Sequence, residues 1–409
     1  MWITHLFLFR GGIKMDYKYI MIRYGEIGTK GKNKKQFISC LYNNIKNALK
    51  QFKEVRVYNK YDRLYVAMNG VEFESIAKYL DMISGIASYS PVFFVETDAE
   101  KIKEAVKEIA LENEFNTFKV STNRAYKGFE IHSMDFNKVL AGIILRNKEV
   151  KVDIHNPDAN FNVEIRQEGT YIFFKKYKGL GGYPLGIGGK AMALLSGGID
   201  SPVACFMMMK RGVSLETIHF ASFPYTSRAA EQKVYDLLDK LNVLQPSITL
   251  HIVPFTKLQE EIYKNVDESY AITIMRRMMV RISSRLAQKR NCLALVTGES
   301  VGQVASQTLN SMQVINDVTN MPIIRPVACF DKLEIMDVAK KIDTYEISIR
   351  PFEDCCTIFT PKNPVTKPNL EKALEFESKF DFESLIDEIM ENIETKNIYK
   401  NNKNDEEFF

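Results

Sequence analysis

The sequence lacks the segments that direct a protein into or across a membrane. None of its apolar runs approaches the ~20 residues that a membrane-spanning helix needs. The apolar start at Met1–Arg10 has neither a basic leader nor a small-residue cleavage site, which disfavours secretion. We therefore expect a cytoplasmic protein with no membrane partner. Residues 1–14 are expected to be a disordered extension, with Met15 as the alternative start of translation.

The sequence lacks the cysteine spacing of a zinc or iron–sulfur site. The six cysteines include no Cys-x-x-Cys pair, so no zinc or iron–sulfur site is predicted from local spacing. Without a secretion signal, we expect reduced thiols. Cys355 and Cys356 are adjacent, with Cα atoms ~3.8 Å apart, below the usual disulfide range that starts at ~4.4 Å. The four cysteines in apolar contexts are predicted to be buried: Cys40, Cys205, Cys292 and Cys329.

Negative charge is scarce near the start of the chain, and positive charge is scarce near its end. Residues 14–63 carry 13 Lys and Arg against 4 Asp and Glu, whereas residues 371–409 carry 5 against 12. The basic segment contains Lys30, Lys32, Lys34 and Lys35. This cluster predicts a surface for a phosphate backbone, with a solvated helix face as the alternative. The acidic end has apolar residues at helical spacing, so we predict a packing helix followed by a disordered acidic tail over 396–409.

What the sequence does contain is a glycine-rich loop at 196–202, directly after the apolar run Ala191–Leu195. A strand that feeds such a loop into a helix presents backbone N–H groups and the positive helix end to bound phosphate. Gly197 and Gly198 allow close approach of the backbone, and Pro202 suits a first helical turn. The loop therefore predicts a nucleotide site.

The loop has no lysine, which a Walker A loop needs to reach the terminal phosphates. It carries Asp200 instead, which suits a Mg²⁺ ion held beside a pyrophosphate. This combination favours ATP cleavage between the α and β phosphates, with AMP left on an acceptor.

The sequence predicts three domains. Residues 15–70 and 71–177 each alternate short strands and helices, which predicts two small α+β modules. Gly179–Gly189 contains six glycines and predicts a flexible joint. Over 178–395 strands and helices alternate strictly, which predicts a doubly wound parallel sheet.

Polar segments follow three strands of this predicted sheet. They come directly after Leu195, at His219–Phe220, and at Gly298–Ser300. Ligands bind such sheets at the carboxyl ends of the strands. The three segments therefore predict one crevice.

Two resemblances add to this interpretation. Ser196–Ser201 is similar to the SGGxDS loop of the ATP pyrophosphatases, which adenylate a carbonyl oxygen before a nucleophile displaces AMP. From about Met15 onward, the chain resembles the tRNA 4-thiouridine synthetase (tRNA sulfurtransferase) family, in the short form without a C-terminal rhodanese domain. Arg23–Gly31 is similar to the start of that family's ferredoxin-like domain, and Ser121–Arg124 stands where the family has its RNA-binding THUMP domain.

The resemblance implies a set of site residues. Catalytic roles fall on Cys355 as the persulfide carrier, with Cys356 as the fallback, on Asp200, and on Lys332 as a stabiliser of negative charge. RNA contacts are expected at Lys30, Lys32, Lys34, Lys35 and Arg124. The nucleotide contacts expected from the loop and from the resemblance together are Leu194, Leu195, Ser196, Gly197, Gly198, Asp200, Ser201, His219, Phe220, Arg276, Gly298 and Gln307. The alternatives are a surface arginine at Arg276, a helix-start lysine at Lys332, and at His219 a strand-end histidine with its side chain bonded within the protein and any ligand contact made by its backbone.

The implied activity is the ATP- and Mg²⁺-dependent thiolation of uridine 8 in tRNA. A cysteine desulfurase is the expected sulfur donor, and a sulfur carrier protein for thiamine synthesis is a possible second partner. A homodimer is expected. The thiol that resolves the persulfide is left open between Cys356, Cys205 and an external reductant. A small-molecule ligase and a non-catalytic tRNA-binding module are the alternative functions.

Overall fold

A computed structural model describes residues 17–60, 63–352, 361 and 363–399. The chain divides into two compact units, Met1–Gly181 and Gly182–Phe409. The division lies inside the glycine-rich segment Gly179–Gly189. No helix among the described residues is long and apolar enough to cross a membrane.

The described part of the first unit is an α+β structure with nine strands and four α-helices. The strands are β1 (Tyr19–Arg23), β2 (Arg56–Lys60), β3 (Arg63–Ala67), β4 (Ser88–Val95), β5 (Thr117–Arg124), β6 (Lys151–Val152), β7 (Ala159–Ile165), β8 (Thr170–Phe173) and β9 (Tyr177–Lys178). The helices are α1 (Lys34–Ala48), α2 (Phe73–Leu80), α3 (Ala99–Glu112) and α4 (Ser133–Asn147), and a 3-10 helix covers Glu26–Thr29.

These strands form one sheet in the order β2-β3-β1-β4-β8-β7-β5-β6, with β9 paired to β4. Strand β4 joins its two halves, because its first residues pair with β1 and its last residues pair with β8. Strand β2 was missing from the sequence prediction. Its residues are mostly exposed, so it has no apolar alternation, and its backbone pairing with β3 defines it.

The second unit is a doubly wound α/β structure, as predicted. Its described strands are β10 (Lys190–Leu194), β11 (Ser214–Ala221), β12 (Ser247–Pro254), β13 (Leu295–Val296), β14 (Ile323–Ile324) and β15 (Glu394–Tyr399). Its described α-helices are α5 (Asp200–Lys210), α6 (Arg228–Leu241), α7 (Thr256–Asn265), α8 (Glu268–Lys289), α9 (Leu309–Asn316), α10 (Lys332–Lys341), α11 (Tyr345–Ser348), α12 (Leu370–Glu377) and α13 (Phe382–Glu391). A second 3-10 helix covers Ala305–Gln307.

The sheet of the second unit has the order β14-β13-β10-β11-β12-β15. Its first five strands are parallel, and apolar clusters lie on both faces. On one face α8 places Met275 and Met278 in the core, and on the other α6 places Val234 and Leu238. The carboxyl ends of β10, β11 and β13 therefore lie at one edge, as the sequence predicts.

The predicted disordered tail over 396–409 is wrong for residues 396–399. Strand β15 pairs antiparallel with β12 from Ser247↔Tyr399 to Ile252↔Glu394. The hydroxyl of Thr395 also lies 2.8 Å from Nδ1 of the buried His251. High charge and low hydropathy predict disorder, but an edge strand is held by backbone hydrogen bonds that composition does not reveal. The predicted packing helix before it is present as α13, with Ile386 and Ile389 buried.

Candidate nucleotide site

The glycine-rich loop connects β10 to α5, and its own hydroxyl groups hold its shape. Ser201 Oγ accepts from the Ser196 N–H at 3.0 Å and donates to the Ser196 carbonyl oxygen at 3.1 Å. Ser196 Oγ accepts from the Gly198 N–H at 3.2 Å. The two serines therefore fold the loop back on the first turn of α5. This geometry presents the start of an 11-residue helix at the end of a parallel strand, the arrangement that favours bound anions.

Gly298 brings the loop after β13 against the same helix end. A Cβ atom at Gly298 would lie 2.6 Å from the carbonyl carbon of Asp200 and from the amide nitrogen of Ser201. Only glycine permits this approach. The structure therefore gives Gly298 a packing role beside the loop, whether or not it also touches a ligand.

Asp200 is the first residue of α5 and lies in a partly desolvated environment. Burial raises the pKa of its carboxyl group, while a hydrogen bond from Gln303 and the charge of Lys332 act in the opposite direction. Gln303 Nε2 donates to Asp200 Oδ2 at 3.2 Å. The sequence prediction missed Gln303, which lies on the loop that follows Ser300.

Lys332 is an exposed residue at the start of α10. A capping box between Asp331 and Glu334 stabilises this end of the helix. Its ammonium is close enough to Asp200 to act on that carboxyl group's titration. The structure therefore brings together two of the three predicted catalytic residues. Cys355 and Cys356 lie outside the described residues.

Arg276 on α8 belongs to a buried charge cluster that the sequence prediction did not include. Glu299 is 4% exposed, and its Oε1 accepts from Arg276 Nη1 at 3.2 Å. Its Oε2 accepts from Arg325 Nε at 2.7 Å and from the Thr297 hydroxyl at 2.9 Å. Arg325 Nη2 also donates to Asn316 Oδ1 at 2.8 Å. One carboxylate thus fixes two arginines at the carboxyl end of β13, and it leaves a net positive charge there.

The strand ends carry the remaining predicted contacts. His219 Nδ1 lies 3.0 Å from the Leu195 carbonyl oxygen and donates to it, so the buried imidazole joins the ends of β10 and β11. This is the bonded strand-end histidine that the sequence offered as an alternative. Leu194 is half-buried and Phe220 is buried.

Gln307 is a buried residue at the end of the 3-10 helix Ala305–Gln307. Its backbone carbonyl oxygen accepts from the Gly302 N–H at 2.9 Å. Its side-chain Oε1 has no hydrogen-bond partner among the described residues. A buried acceptor without a partner costs free energy, and a ligand with an N–H group would satisfy it.

The described cysteines only partly match the predictions. Cys205 is 1% exposed, and burial raises the pKa of its thiol to about 12. It is therefore a core residue, as its apolar context predicts, and this burial disfavours Cys205 among the candidates for the resolving thiol. Cys292 is buried as predicted, but Cys40 is half-buried and Cys329 is exposed. Cys329 lies in the turn between β14 and α10, where its apolar neighbours in sequence do not enclose it. No group of three or more His, Cys, Asp or Glu in the described part of the protein is placed to hold a metal ion.

The first unit carries the predicted RNA contacts. Lys34 and Lys35 lie in the first turn of α1, Lys32 is exposed before it, and the Lys30 ammonium lies 5.1 Å from the centroid of the Phe37 ring.

Arg124 ends β5 and donates through Nη1 to the Phe129 carbonyl oxygen at 2.8 Å. It lines an open pocket of about 460 Å³ at the amino end of α4, together with Lys127, His132, Lys138 and one carboxylate, Asp135, which pairs with Lys138 at 3.5 Å. Basic residues and a helix amino terminus together suit a phosphate or a carboxylate.

The fold and the site define a multidomain α/β protein in which two α+β modules precede a doubly wound domain with an anion-binding loop. Three family models match it in sequence order: the ThiI ferredoxin-like domain at residues 19–90, the THUMP domain at 96–175, and the thiamine biosynthesis protein ThiI at 186–382. A crystal structure of a 4-thiouridine synthetase–RNA complex with bound ATP is 40% identical, covers 94% of this chain and 100% of its own, and has a TM-score of 0.86. The chain belongs to the 4-thiouridine synthetase family.

The crystal structure of PH1313 from Pyrococcus horikoshii Ot3 has the same fold. It is 24% identical, covers 80% of this chain and 99% of its own, and has a TM-score of 0.60.

Proposed function

We propose that this protein is a cytoplasmic tRNA sulfurtransferase that converts uridine 8 of tRNA to 4-thiouridine at the expense of ATP. One observation carries the proposal. The glycine-rich loop, Asp200, Lys332 and the Arg276 cluster are assembled at one edge of the sheet in a protein 40% identical to a 4-thiouridine synthetase that was crystallised with ATP and RNA.

ATP binds with its phosphates at residues 196–201. The loop N–H groups and the amino end of α5 contact the phosphates, and Arg276, held by Glu299, adds a fixed positive charge. Buried Gln307 Oε1 accepts from the adenine amino group, which satisfies an acceptor that has no partner among the described residues. Leu194 and Leu195, with Phe220, supply the apolar and backbone surface around the base.

Asp200 is the residue that would hold a Mg²⁺ ion bound together with ATP. The fit rests on the chemistry of this carboxylate, because Mg²⁺ takes oxygen ligands and is usually held by one or two carboxylates together with substrate phosphates. Burial disfavours the ionised form of Asp200 in the free protein, and a cation at that position would reverse the effect. When bound, the ion would neutralise charge on the phosphates.

The reaction has two steps. In the first, O4 of the uracil attacks the α-phosphorus, the bond to the β-phosphate oxygen breaks, and pyrophosphate leaves. Lys332 stabilises the negative charge that develops on the departing pyrophosphate. In the second, the terminal sulfur of a Cys355 persulfide bonds to C4, and the C4–O4 bond breaks with loss of AMP.

A second thiol then attacks the Cys355 sulfur, which cleaves the S–S bond and leaves the outer sulfur on C4. The enzyme is left with a disulfide that an external thiol reduces. Cys356 or the external thiol itself performs this attack, since Cys205 is enclosed in the core. A cysteine desulfurase reloads Cys355, and a sulfur carrier protein for thiamine synthesis is a second acceptor.

The first unit binds the tRNA. The lysine cluster Lys30, Lys32, Lys34 and Lys35 contacts the phosphate backbone, and the pocket around Arg124 takes a phosphate of the same RNA. Uridine 8 must leave its stacked position, which costs a few kcal/mol that these backbone contacts offset. The enzyme acts as a homodimer.

The test is reconstitution. Purified protein, tRNA, Mg·ATP, a cysteine desulfurase and cysteine are expected to yield a near-ultraviolet absorbing 4-thiouridine together with AMP and pyrophosphate. Formation of ADP and phosphate would contradict the mechanism, and full turnover by Cys355→Ala with every sulfur source would remove the assigned nucleophile. Pyrophosphate release with a metabolite in place of RNA would indicate a small-molecule ligase, and ATP binding without turnover would indicate a tRNA-binding module.

A further inference from the structure

Lys233 is a buried lysine that is tied to the segment just before the cysteine pair. It lies on α6 and is 4% exposed. Its Nζ donates to the carbonyl oxygen of Arg350 at 3.2 Å and to that of Phe352 at 3.3 Å. An ammonium removed from water is stable only where hydrogen bonds compensate it, so its position and that of the two carbonyl groups are fixed together.

Two further contacts hold the same segment. The Arg350 guanidinium pairs with the carboxylate of Asp236, one helical turn after Lys233 on α6. Ser348 Oγ donates to the Gly198 carbonyl oxygen at 3.2 Å, which connects the end of α11 to the glycine-rich loop. Residues 348–352, which we call the anchor segment, are thus attached to α6 on one side and to the nucleotide loop on the other.

We propose that Lys233 is a positioning residue for sulfur transfer, through the anchor segment. Cys355 follows Phe352 by three residues, and a stretch of that length spans at most about 11 Å. Fixing Phe352 therefore restricts how far Cys355 can lie from the anchor segment. Because Ser348 bonds to Gly198, the same restriction applies relative to the loop that holds the adenylated substrate in the proposed mechanism. The inference rests on the role of Cys355 in the proposed function.

The two steps of the reaction separate this role from a general structural one. Adenylation needs the loop, Asp200 and Arg276, none of which bonds to Lys233 in the described contacts. Sulfur transfer also needs Cys355 at the right distance from C4. A misplacement of about 1 Å costs roughly a hundredfold in rate when it separates reacting groups. Loss of the Lys233 contacts should therefore slow the second step and spare the first.

The experiment compares Lys233→Met with Lys240→Met, a half-buried lysine on the same helix that serves as the control. Pyrophosphate release is measured in a single turnover with tRNA and no sulfur donor, and 4-thiouridine formation is measured with the desulfurase present. We expect Lys233→Met to keep the pyrophosphate burst within roughly twofold and to lower thiolation by about tenfold or more. Lys240→Met should match the wild type in both assays.

Thiolation by Lys233→Met at the wild-type rate, or a parallel fall in both steps, would overturn the inference. If Lys233→Met does not fold, Asp236→Asn decides the question, because this partly exposed residue holds the same segment through Arg350. A selective loss of thiolation in Asp236→Asn supports the role, and an unchanged or parallel response refutes it. The Cys355→Ala reaction, run beside these variants, tests the proposed function itself.

Discussion

Glu299 should stabilise the fold and support ATP binding, although it contacts no substrate in the proposed mechanism. Its buried carboxylate accepts from Arg276, Arg325 and Thr297, so it compensates two guanidinium groups that come from α8 and from the segment after β14. Glu299→Gln keeps the shape of the side group but removes the charge. The amide N–H₂ group also turns a donor toward one of the two arginines.

The expected loss follows from burial. Removing one partner of a buried ion pair costs ~3–5 kcal/mol. The side chains of Arg276 and Arg325 are 23% and 12% exposed, which places this case near the lower end, at about 3 kcal/mol. For a domain of this size, about 2–4 °C of melting temperature corresponds to each kcal/mol, so we expect a decrease of about 6–12 °C.

The assay is differential scanning calorimetry of the whole protein together with the KM for ATP. Because Arg276 loses the carboxylate that holds it, we expect the KM for ATP to increase about tenfold, equivalent to ~1.4 kcal/mol. The control is Glu388→Gln, whose carboxylate pairs with Lys257 at the surface and should change stability by less than ~0.5 kcal/mol. If Glu299→Gln melted and bound ATP like the control, the cluster would have no role in holding Arg276.

Three further outcomes are expected. Gly298→Ala should lower the melting temperature and weaken ATP binding, because its Cβ would lie 2.6 Å from backbone atoms of α5, whereas Gly28→Ala meets nothing within 4 Å and should leave both unchanged. Asp200→Asn should abolish pyrophosphate release yet stabilise the ligand-free protein at neutral pH. Folding raises the pKa of this carboxyl group, so its ionised form costs stability above that pKa; the difference between the two proteins in thermal unfolding should disappear below about pH 4. Arg124→Ala should weaken tRNA binding and reduce the slope of log K against log salt by about one, and an unchanged slope would argue against a phosphate in its pocket.

The sequence predicted the parts of the fold that have apolar periodicity. Strands β1 and β3, the parallel sheet of the second unit and the glycine-rich joint are all evident from local patterns. Among the missed strands, β2 and β15 are at sheet edges and are rich in exposed polar residues, and β9 and β14 are only two residues long. Their formation depends on backbone partners elsewhere in the sequence, which no local window contains.

The site shows the same division between local and long-range information. The loop at 196–201 and the strand-end positions could be predicted, because residue type and spacing carry their geometry. The partners that set their chemistry could not. Gln303 reaches Asp200 across about a hundred residues of sequence, and Arg325 reaches Glu299 from the next strand. A single sequence does not tell which of its many arginines and carboxylates will meet.

The proposed phosphate site has no lysine in its loop, so its positive charge has to come from other parts of the fold. The positive charge comes from Arg276 on α8, Arg325 after β14 and Lys332 at the start of α10, and Glu299 cancels part of it. These groups come from three separate elements, so they meet only when the sheet is complete. Glu299 holds Arg276 and Arg325 in place before any nucleotide arrives, so in the proposed mechanism these two charges need little reorganisation when negative charge develops on the departing pyrophosphate.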